Sequence, residues 1–503
     1  MSEAIYAANT KFQEEYSAKI PALSLLNNLG WRYVSPDEAL QQRAGKPDEV
    51  VLREVLRQEL SKRRFEFEGK THALSATSID KLITQLCSPV LNEGLLAANE
   101  TLYNHMVYGM AVTEFINGKK ATPTIAIIDW HNTDNNDFCY TEEMVVSRAN
   151  GIDHRKPDIV CFVNGLPWVV IEAKRPDAQA HKGPTVEEGI SQNIRNQQVN
   201  EIQRLFAYSQ LLLSINGFEG RYGTCGTAAK FWAAWREEDF SDETMHGLKN
   251  QAVQPSELQK MFAHRPAHVW QWYQDLLAGG ELAVTGQDRL LISLLTPARL
   301  LEIMRLFTFF DNKVGKVVAR YHQVFGLKRL IERINTKKPQ GGREGGVIWH
   351  TTGSGKSFTM VFLSKALIWL KALAQCRVVV VTDRVDLEDQ LARTFASGGA
   401  LSDKDKKDAM ATTGKRLAEQ IGKGNERIIF SIINKFGTAI TLPECYNDSP
   451  DIIVLVDEGH RSQNGSNNIF MQQALPKAAY IGFTGTPLLK DDKTENKFGK
   501  IIH

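Results

Sequence analysis

Residues 347–357 read Val347-Ile348-Trp349-His350-Thr351-Thr352-Gly353-Ser354-Gly355-Lys356-Ser357, an apolar run that breaks into a glycine-containing loop ending in Lys-Ser. A nucleoside triphosphate site needs such a loop. Gly353 and Gly355, with Ser354 between them, let successive backbone N–H groups turn toward phosphate oxygens. Lys356 adds a point charge, and the Ser357 hydroxyl can hold Mg²⁺. The full spacing G-x-x-x-x-G-K-[ST] is broken at one place, where His350 stands for the first Gly. A second element follows further along, where Ile452-Ile453-Val454-Leu455-Val456 ends in Asp457-Glu458-Gly459-His460. A buried strand ending in paired acids suits ATP hydrolysis. Asp457 would hold Mg²⁺ and Glu458 would orient the attacking water, because phosphoryl transfer is mostly positioning plus charge stabilisation.

Around these elements the pattern is strand then helix, repeated. Apolar runs at 347–349, 377–382, 428–432, 452–456 and 479–483 predict a parallel α/β sheet buried on both faces. Phe358 to Leu373, with Met360, Leu363, Ala366 and Leu370 at helical spacing, supplies a crossover. The earlier part of the chain reads as a mixed α/β domain, with a helix expected over Glu49 to Arg63 and a strand-like run over Thr124 to Trp130. Pro255, Pro266 and the pair Gly279-Gly280 mark weakly patterned sequence. The expected organisation is therefore a first domain over 1–260, a junction over 261–295 and a second domain over 296–503.

Length and composition agree with that division. A chain of 503 residues is too long for one core, and 43% hydrophobic with 23% charged residues is the balance of a folded protein. No apolar run approaches the ~20 residues of a membrane span, and Met1-Ser-Glu-Ala-Ile-Tyr6 is not a secretory signal, so the expected place is the cytoplasm. The six cysteines form no C-x-x-C pair and are expected to be reduced core residues. A net charge of +2 announces no polyanion partner. Local lysine and arginine clusters at 313–343 and 404–427 fit solvated helix faces and DNA contacts equally well.

A second constellation lies in the first domain. Pro157-Asp158 leads an apolar strand into Asn164-Gly165, a hairpin turn signal, and the chain returns as Trp168-Val-Val-Ile-Glu172-Ala173-Lys174. Glu172 and Lys174 are two apart and share a strand face, while Asp158 stands across the turn. Two carboxylates facing one point suit Mg²⁺, and an adjacent lysine can position or deprotonate a metal-bound water for attack on phosphorus. The plainer alternative is an edge hairpin with its charges in solvent.

The hairpin resembles the PD-(D/E)xK nucleases through Pro157-Asp158 and Glu172-Ala173-Lys174. Joined to the nucleotide site, it resembles the restriction, or motor, subunit of type I restriction-modification enzymes, and the likeness spans nearly the whole chain. His350–Ser357, Val381–Gln390, Ile433–Phe436, Val456–Gln463 and Phe483–Pro487 are similar to motifs of superfamily two helicases. Arg221–Thr227 and Lys230–Trp235 resemble the same subunit family.

That resemblance implies a RecA-like first helicase lobe behind the nuclease domain, and a set of roles. Gln323 is similar to an adenine-reading glutamine, though a surface glutamine reads the same. Thr484 and Thr486 would couple ATP state to DNA grip, and Asp383 and Arg384 either lie near the DNA backbone or cap a helix. Family members carry a glutamine four residues before a tyrosine after the nuclease lysine. Here Tyr208 has Arg204 at that spacing, with Gln203 one position earlier. The motor also implies a second lobe, which the 503 residues are expected to lack, so that ATP hydrolysis by this stretch alone should be slow.

The leading expectation is an ATP-dependent DNA translocase and endonuclease. It would dock on methyltransferase and specificity subunits and cut unmethylated double-stranded DNA, with ATP and Mg²⁺ as cofactors. One rival is a repair helicase-nuclease acting without those partners. The other is a nucleotide-gated DNA-binding subunit whose nuclease hairpin is structural.

Overall fold

The computed structural model describes residues 14–176, 186–339, 341–349, 355–383, 385, 388, 391–393, 395, 407–457 and 466–484. The chain divides into two compact α/β units, Met1–Arg305 and Leu306–His503. The stretch that patterning marks as a junction is not a loose linker. It holds the helices Pro255–Phe262, Ala267–Ala278 and Gly286–Leu295, all within the first unit.

The first unit is built on a six-stranded mixed sheet whose spatial order follows the chain: β1 (Arg32–Tyr33), β2 (Phe138–Glu142), β3 (Ile159–Val163), β4 (Leu166–Ala173), β5 (Leu211–Ile215) and β6 (Gly220–Gly223). β1 runs parallel to β2 and β4 parallel to β5, and the other pairs are antiparallel. Every residue of β2 to β5 is buried, so the sheet is covered on both faces. A π-helical turn, Glu15–Lys19, continues into α1 (Ile20–Asn28), and α2 (Val186–Asn196) also contacts the sheet.

The expected hairpin is β3 and β4. Asn164 (φ 51°) and Gly165 (φ 79°) form its two-residue turn, and both left-handed angles match the twist of the flanking strands. The turn is buried. Asn164 accepts from the Asp137 N–H and donates to the Ile127 carbonyl, while a Cβ at 165 would run into the Leu52 carbonyl. Two other expectations are trimmed. The helix over 49–63 spans Arg53–Ser61, and the run over 124–130 is strand only at Thr124–Ile125, giving way to a turn that Asn136 holds through the Asp129 backbone.

The second unit begins with a hairpin, β7 (Thr308–Asp311) and β8 (Gly315–Val318), followed by α3 (Tyr321–Asn335). Its five-stranded sheet is wholly parallel: β9 (Gly346–Trp349), β10 (Arg377–Thr382), β11 (Ile428–Ile432), β12 (Ile452–Asp457) and β13 (Ala479–Thr484), in the spatial order β9-β13-β12-β10-β11. These are the five runs read from the sequence. α4 (Lys356–Trp369) is the first crossover and starts where the phosphate loop ends.

Candidate nuclease and nucleotide sites

Asp158 immediately precedes β3, and because Ile159 pairs with Ile171, it lies beside the Glu172 end of β4. Its Oδ2 accepts from the Ala173 N–H at 2.9 Å, which holds the carboxylate across the hairpin. Lys174 continues β4 by donating its N–H to the Ile215 carbonyl at 2.8 Å, and its ammonium donates to the Ala173 carbonyl at 2.7 Å. That ammonium lies 3.5 Å from Asp158 Oδ2, 3.9 Å from Glu172 Oε2 and 3.9 Å from Glu14 Oε2. The structure thus brings together the three residues named from sequence and adds Glu14 from the end of the π-helical turn.

Glu172 is fully buried. Its Oε2 accepts from the Gln192 side chain at 2.6 Å, and its Oε1 has no hydrogen-bond partner among the described residues. Burial pushes its pKa well above the ordinary carboxylate value, and the neighbouring Asp158 charge pushes the same way. Glu14 is raised for the same two reasons in the same order. Acid outnumbers base around the single ammonium of Lys174, and one buried oxygen is unmatched. Such a donor set suits a hard divalent cation, since Mg²⁺ binds through one or two carboxylates and keeps several waters. Among the described residues no group of three or more His, Cys, Asp or Glu gathers as a metal cage.

Gln192 escaped the sequence reading. The family pattern of a glutamine four residues before a tyrosine points to Tyr208, with Arg204 at that spacing and Gln203 one position earlier. In the structure Gln203 donates to the Gln197 carbonyl and Tyr208 to the Leu86 carbonyl, and Arg204 is tied to Glu49 and Cys87. The glutamine that touches the site is Gln192 on α2, with Asn196 four residues on. The available signal was a glutamine on the first helix after Lys174 with any polar residue one turn later.

In the second unit Gly355 takes a left-handed φ of 88° and caps α4, so Lys356 and Ser357 open the helix at its positive end. The Lys356 ammonium lies 2.8 Å from Oδ1 of Asp457, the buried last residue of β12. Gln323, in the first turn of α3, is also buried. Its Oε1 accepts from the Arg320 N–H, and its amide donates to Thr359 Oγ1 at 3.0 Å and to the Gly355 carbonyl at 3.4 Å. It is therefore fastened to the helix that carries Lys356. Thr484 ends β13 beside Trp349, and Asp383 follows β10. Gly353, Ser354, Glu458, Thr486 and Arg384 lie outside the described residues. The sequence reading did not anticipate a buried ion pair in which Lys435 meets both oxygens of Glu388 at 3.0 and 3.1 Å, joining the second and third helicase-like segments.

The two units thus combine a carboxylate-and-lysine hairpin on a mixed sheet with a phosphate-loop lysine on a parallel sheet, the make-up of a chain that couples an R-protein N-terminal domain to an ATPase domain. Residues 11–231 match the family described as type I restriction enzyme R protein N terminus, and residues 322–503 match the SWI2/SNF2 ATPase family. The chain is 29% identical to the type I restriction enzyme HindI endonuclease subunit of Haemophilus influenzae, over 95% of this chain and 43% of that protein. It is 28% identical to the putative type I restriction enzyme MjaIXP endonuclease subunit of Methanocaldococcus jannaschii, over 98% of this chain and 44% of that one. The chain is thus similar to type I restriction enzyme R subunits along most of its length, and it spans under half the length of these curated relatives.

Proposed function

We propose that this chain is the nuclease and first motor lobe of an ATP-driven DNA translocase that cuts unmethylated double-stranded DNA, working with methyltransferase and specificity subunits. The observation that carries the reading is the meeting of Asp158, Glu172 and Lys174 at one end of a buried hairpin, in a chain that also pairs Lys356 with Asp457. Neither half alone distinguishes a restriction motor from a simple nuclease or a simple ATPase.

In the nuclease centre Asp158 and Glu172 would hold Mg²⁺, which when bound supplies an acidified water and charge neutralisation at phosphorus. Lys174 lies at the same spot, where its neutral amine would take the proton of the attacking water and its ammonium would return one to the leaving oxygen. Attack forms a new P–O bond as the bond to the leaving sugar oxygen breaks. Gln192 fixes the Glu172 carboxylate through Oε2, which would hold it in place for the cation. In the motor lobe Lys356, Ser357 and the loop glycines would take the phosphates, Asp457 and Ser357 the Mg²⁺, and Glu458 the hydrolytic water. Gln323 supports the loop from α3, and Thr484 and Thr486 follow the strand that would report nucleotide state.

The test is cleavage of circular DNA bearing one unmethylated site by the full-length protein assembled with its partner subunits. Cutting is expected only with ATP and Mg²⁺, and to disappear in Asp158→Ala while ATP hydrolysis continues. Cutting without ATP, or without the partner subunits, would favour the repair helicase-nuclease and sink the restriction reading.

A further inference from the structure

We propose that Arg265 is a positioning residue of the nuclease centre, holding the segment that carries Glu14 against Lys174; the inference rests on the nuclease reading above. Arg265 lies between the helices Pro255–Phe262 and Ala267–Ala278, in the stretch that sequence patterning treats as a junction. Its guanidinium is 5% exposed and spans three acceptors: Glu142 Oε2, Glu15 Oε1 at 3.1 Å and the Met261 carbonyl. Glu142 ends β2 and is fixed there, since the Tyr33 hydroxyl donates to its other oxygen at 2.9 Å. Burial and the Glu142 charge together push the Tyr33 hydroxyl far above its ordinary value, while Glu142 is held down at about 2 by His264, Arg265 and Lys19 against the effect of burial. An anchored anion on the sheet and an anchored cation from the helical arm therefore meet beside the nuclease strands.

The tie to the catalytic lysine runs through the π-helical turn. Arg265 grips Glu15, and the residue before it, Glu14, places its carboxylate 3.9 Å from the Lys174 ammonium. At the other end of the turn Lys19 bonds Glu143 and lies 3.7 Å from Glu142, and the Glu143 N–H donates to the Asp158 carbonyl at 3.1 Å. The contacts close a ring: Asp158, Lys174, Glu14, along the chain to Glu15, then Arg265, Glu142, Lys19, Glu143 and back to Asp158. The acidic and basic members of the arm also line a cleft of about 540 Å³, formed by Glu14, Glu15, Lys19, Glu142, Glu143 and Arg265 with His264 and Pro266.

The ring has a chemical consequence. Glu14 adds a third carboxylate 3.9 Å from the Lys174 ammonium, which is therefore shared among three acids and not held by Asp158 and Glu172 alone. With Arg265 gone, Glu15 is released, Glu14 loses its placement and the ammonium is left to the two hairpin carboxylates. The cation then competes with an internal ion pair.

In the assembled enzyme Arg265→Ala is expected to raise the Mg²⁺ concentration needed for cleavage about 10–100-fold, the range for losing an outer partner of a metal ligand. The same factor is expected in direct Mn²⁺ binding, read by electron paramagnetic resonance as the part that Asp158→Ala removes. Arg265→Lys should recover part of both, and ATP hydrolysis should not change. Because Arg265→Ala strands the buried Glu142, Glu15→Gln serves as the second variant. Glu15 is 41% exposed, and its loss breaks the tie without burying a lone charge, so the same shifts are expected at smaller size. Wild-type Mn²⁺ binding and Mg²⁺ requirement in both variants overturn the proposal. If Asp158→Ala removes no Mn²⁺ binding at all, the nuclease site itself is misplaced and the proposal falls with it.

Discussion

Lys174 and Lys356, the cations to which the proposed function gives work in the two units, are held in opposite ways. Lys174 extends a β-strand, is 13% exposed, and has three carboxylates within 4 Å from three places in the fold. Lys356 opens a helix behind a loop, is 19% exposed, and pairs at 2.8 Å with the acid from one strand end. The first arrangement is a crowded anionic site in which one ammonium cannot balance its neighbours. The second is an ion pair that, on the proposed reading, a nucleotide and its metal would open, since the phosphates would compete for the lysine and the cation for Asp457. A nuclease centre built on strand residues is therefore set by backbone pairing before any ligand arrives, while a nucleotide centre built on loops after strands is completed by its ligand.

The largest expected effect separates the two lysines. Lys356→Ala should abolish ATP hydrolysis and, because cutting waits on movement, cleavage as well. Lys174→Ala should lower cleavage by about 10²–10⁴-fold, the usual contribution of a positioned proton-transfer group, with ATP hydrolysis intact. Both rates are measured on the same assembled enzyme and the same circular DNA. If Lys356→Ala cuts normally, the units are not coupled and the contrast reduces to two unrelated sites sharing a chain.

The same contrast explains what could be read from the sequence. Asp158, Glu172 and Lys174 sit within one hairpin whose turn residues fix the register, so their meeting was legible from local pattern alone. The five strands of the second unit were legible as apolar runs, and their burial on both faces implied parallel pairing. Their order was not, because β9 pairs with β13 across most of the unit and no local signal records that choice. Long-range partners were missed for the same reason. Glu14 lies 160 positions from Lys174, Arg265 lies 123 from Glu142, and Glu388 lies 47 from Lys435. Each joins elements whose adjacency only the folded sheet decides. Gln192 was not legible for a different reason: the residue four positions on is Asn196, so it lacks the tyrosine that the family pattern pairs with a glutamine.

A finer prediction uses one buried ionisable group from each unit. Glu172 has a raised pKa, so its contribution to stability is complete below its ordinary value of 4.5 and is lost as pH rises through the folded value. Lys365, on α4, is fully buried and donates to the Thr308 carbonyl at 2.6 Å, and burial lowers its pKa to about 7. Its sign is opposite. The penalty for burying the ammonium is complete below about pH 7 and is relieved as pH climbs toward the ordinary lysine value of 10.5. Raising pH upward from 4.5 should therefore loosen β4, and raising it above about 7 should tighten α4, which segment-resolved hydrogen exchange reads in a single sample. Glu172→Gln should remove the first slope and stabilise the metal-free nuclease unit by about 1–3 kcal/mol near neutral pH. Lys365→Met should remove the second and stabilise the other unit by about 1–4 kcal/mol below pH 7. Mg²⁺ should protect β4 in the wild type and fail to do so in Glu172→Gln, because the buried carboxylate is destabilising only until a cation uses it. Equal protection of β4 by Mg²⁺ in the wild type and Glu172→Gln would mean that Glu172 is an ordinary buried acid, and the contrast between a ligand-awaiting centre and a merely buried charge would be lost.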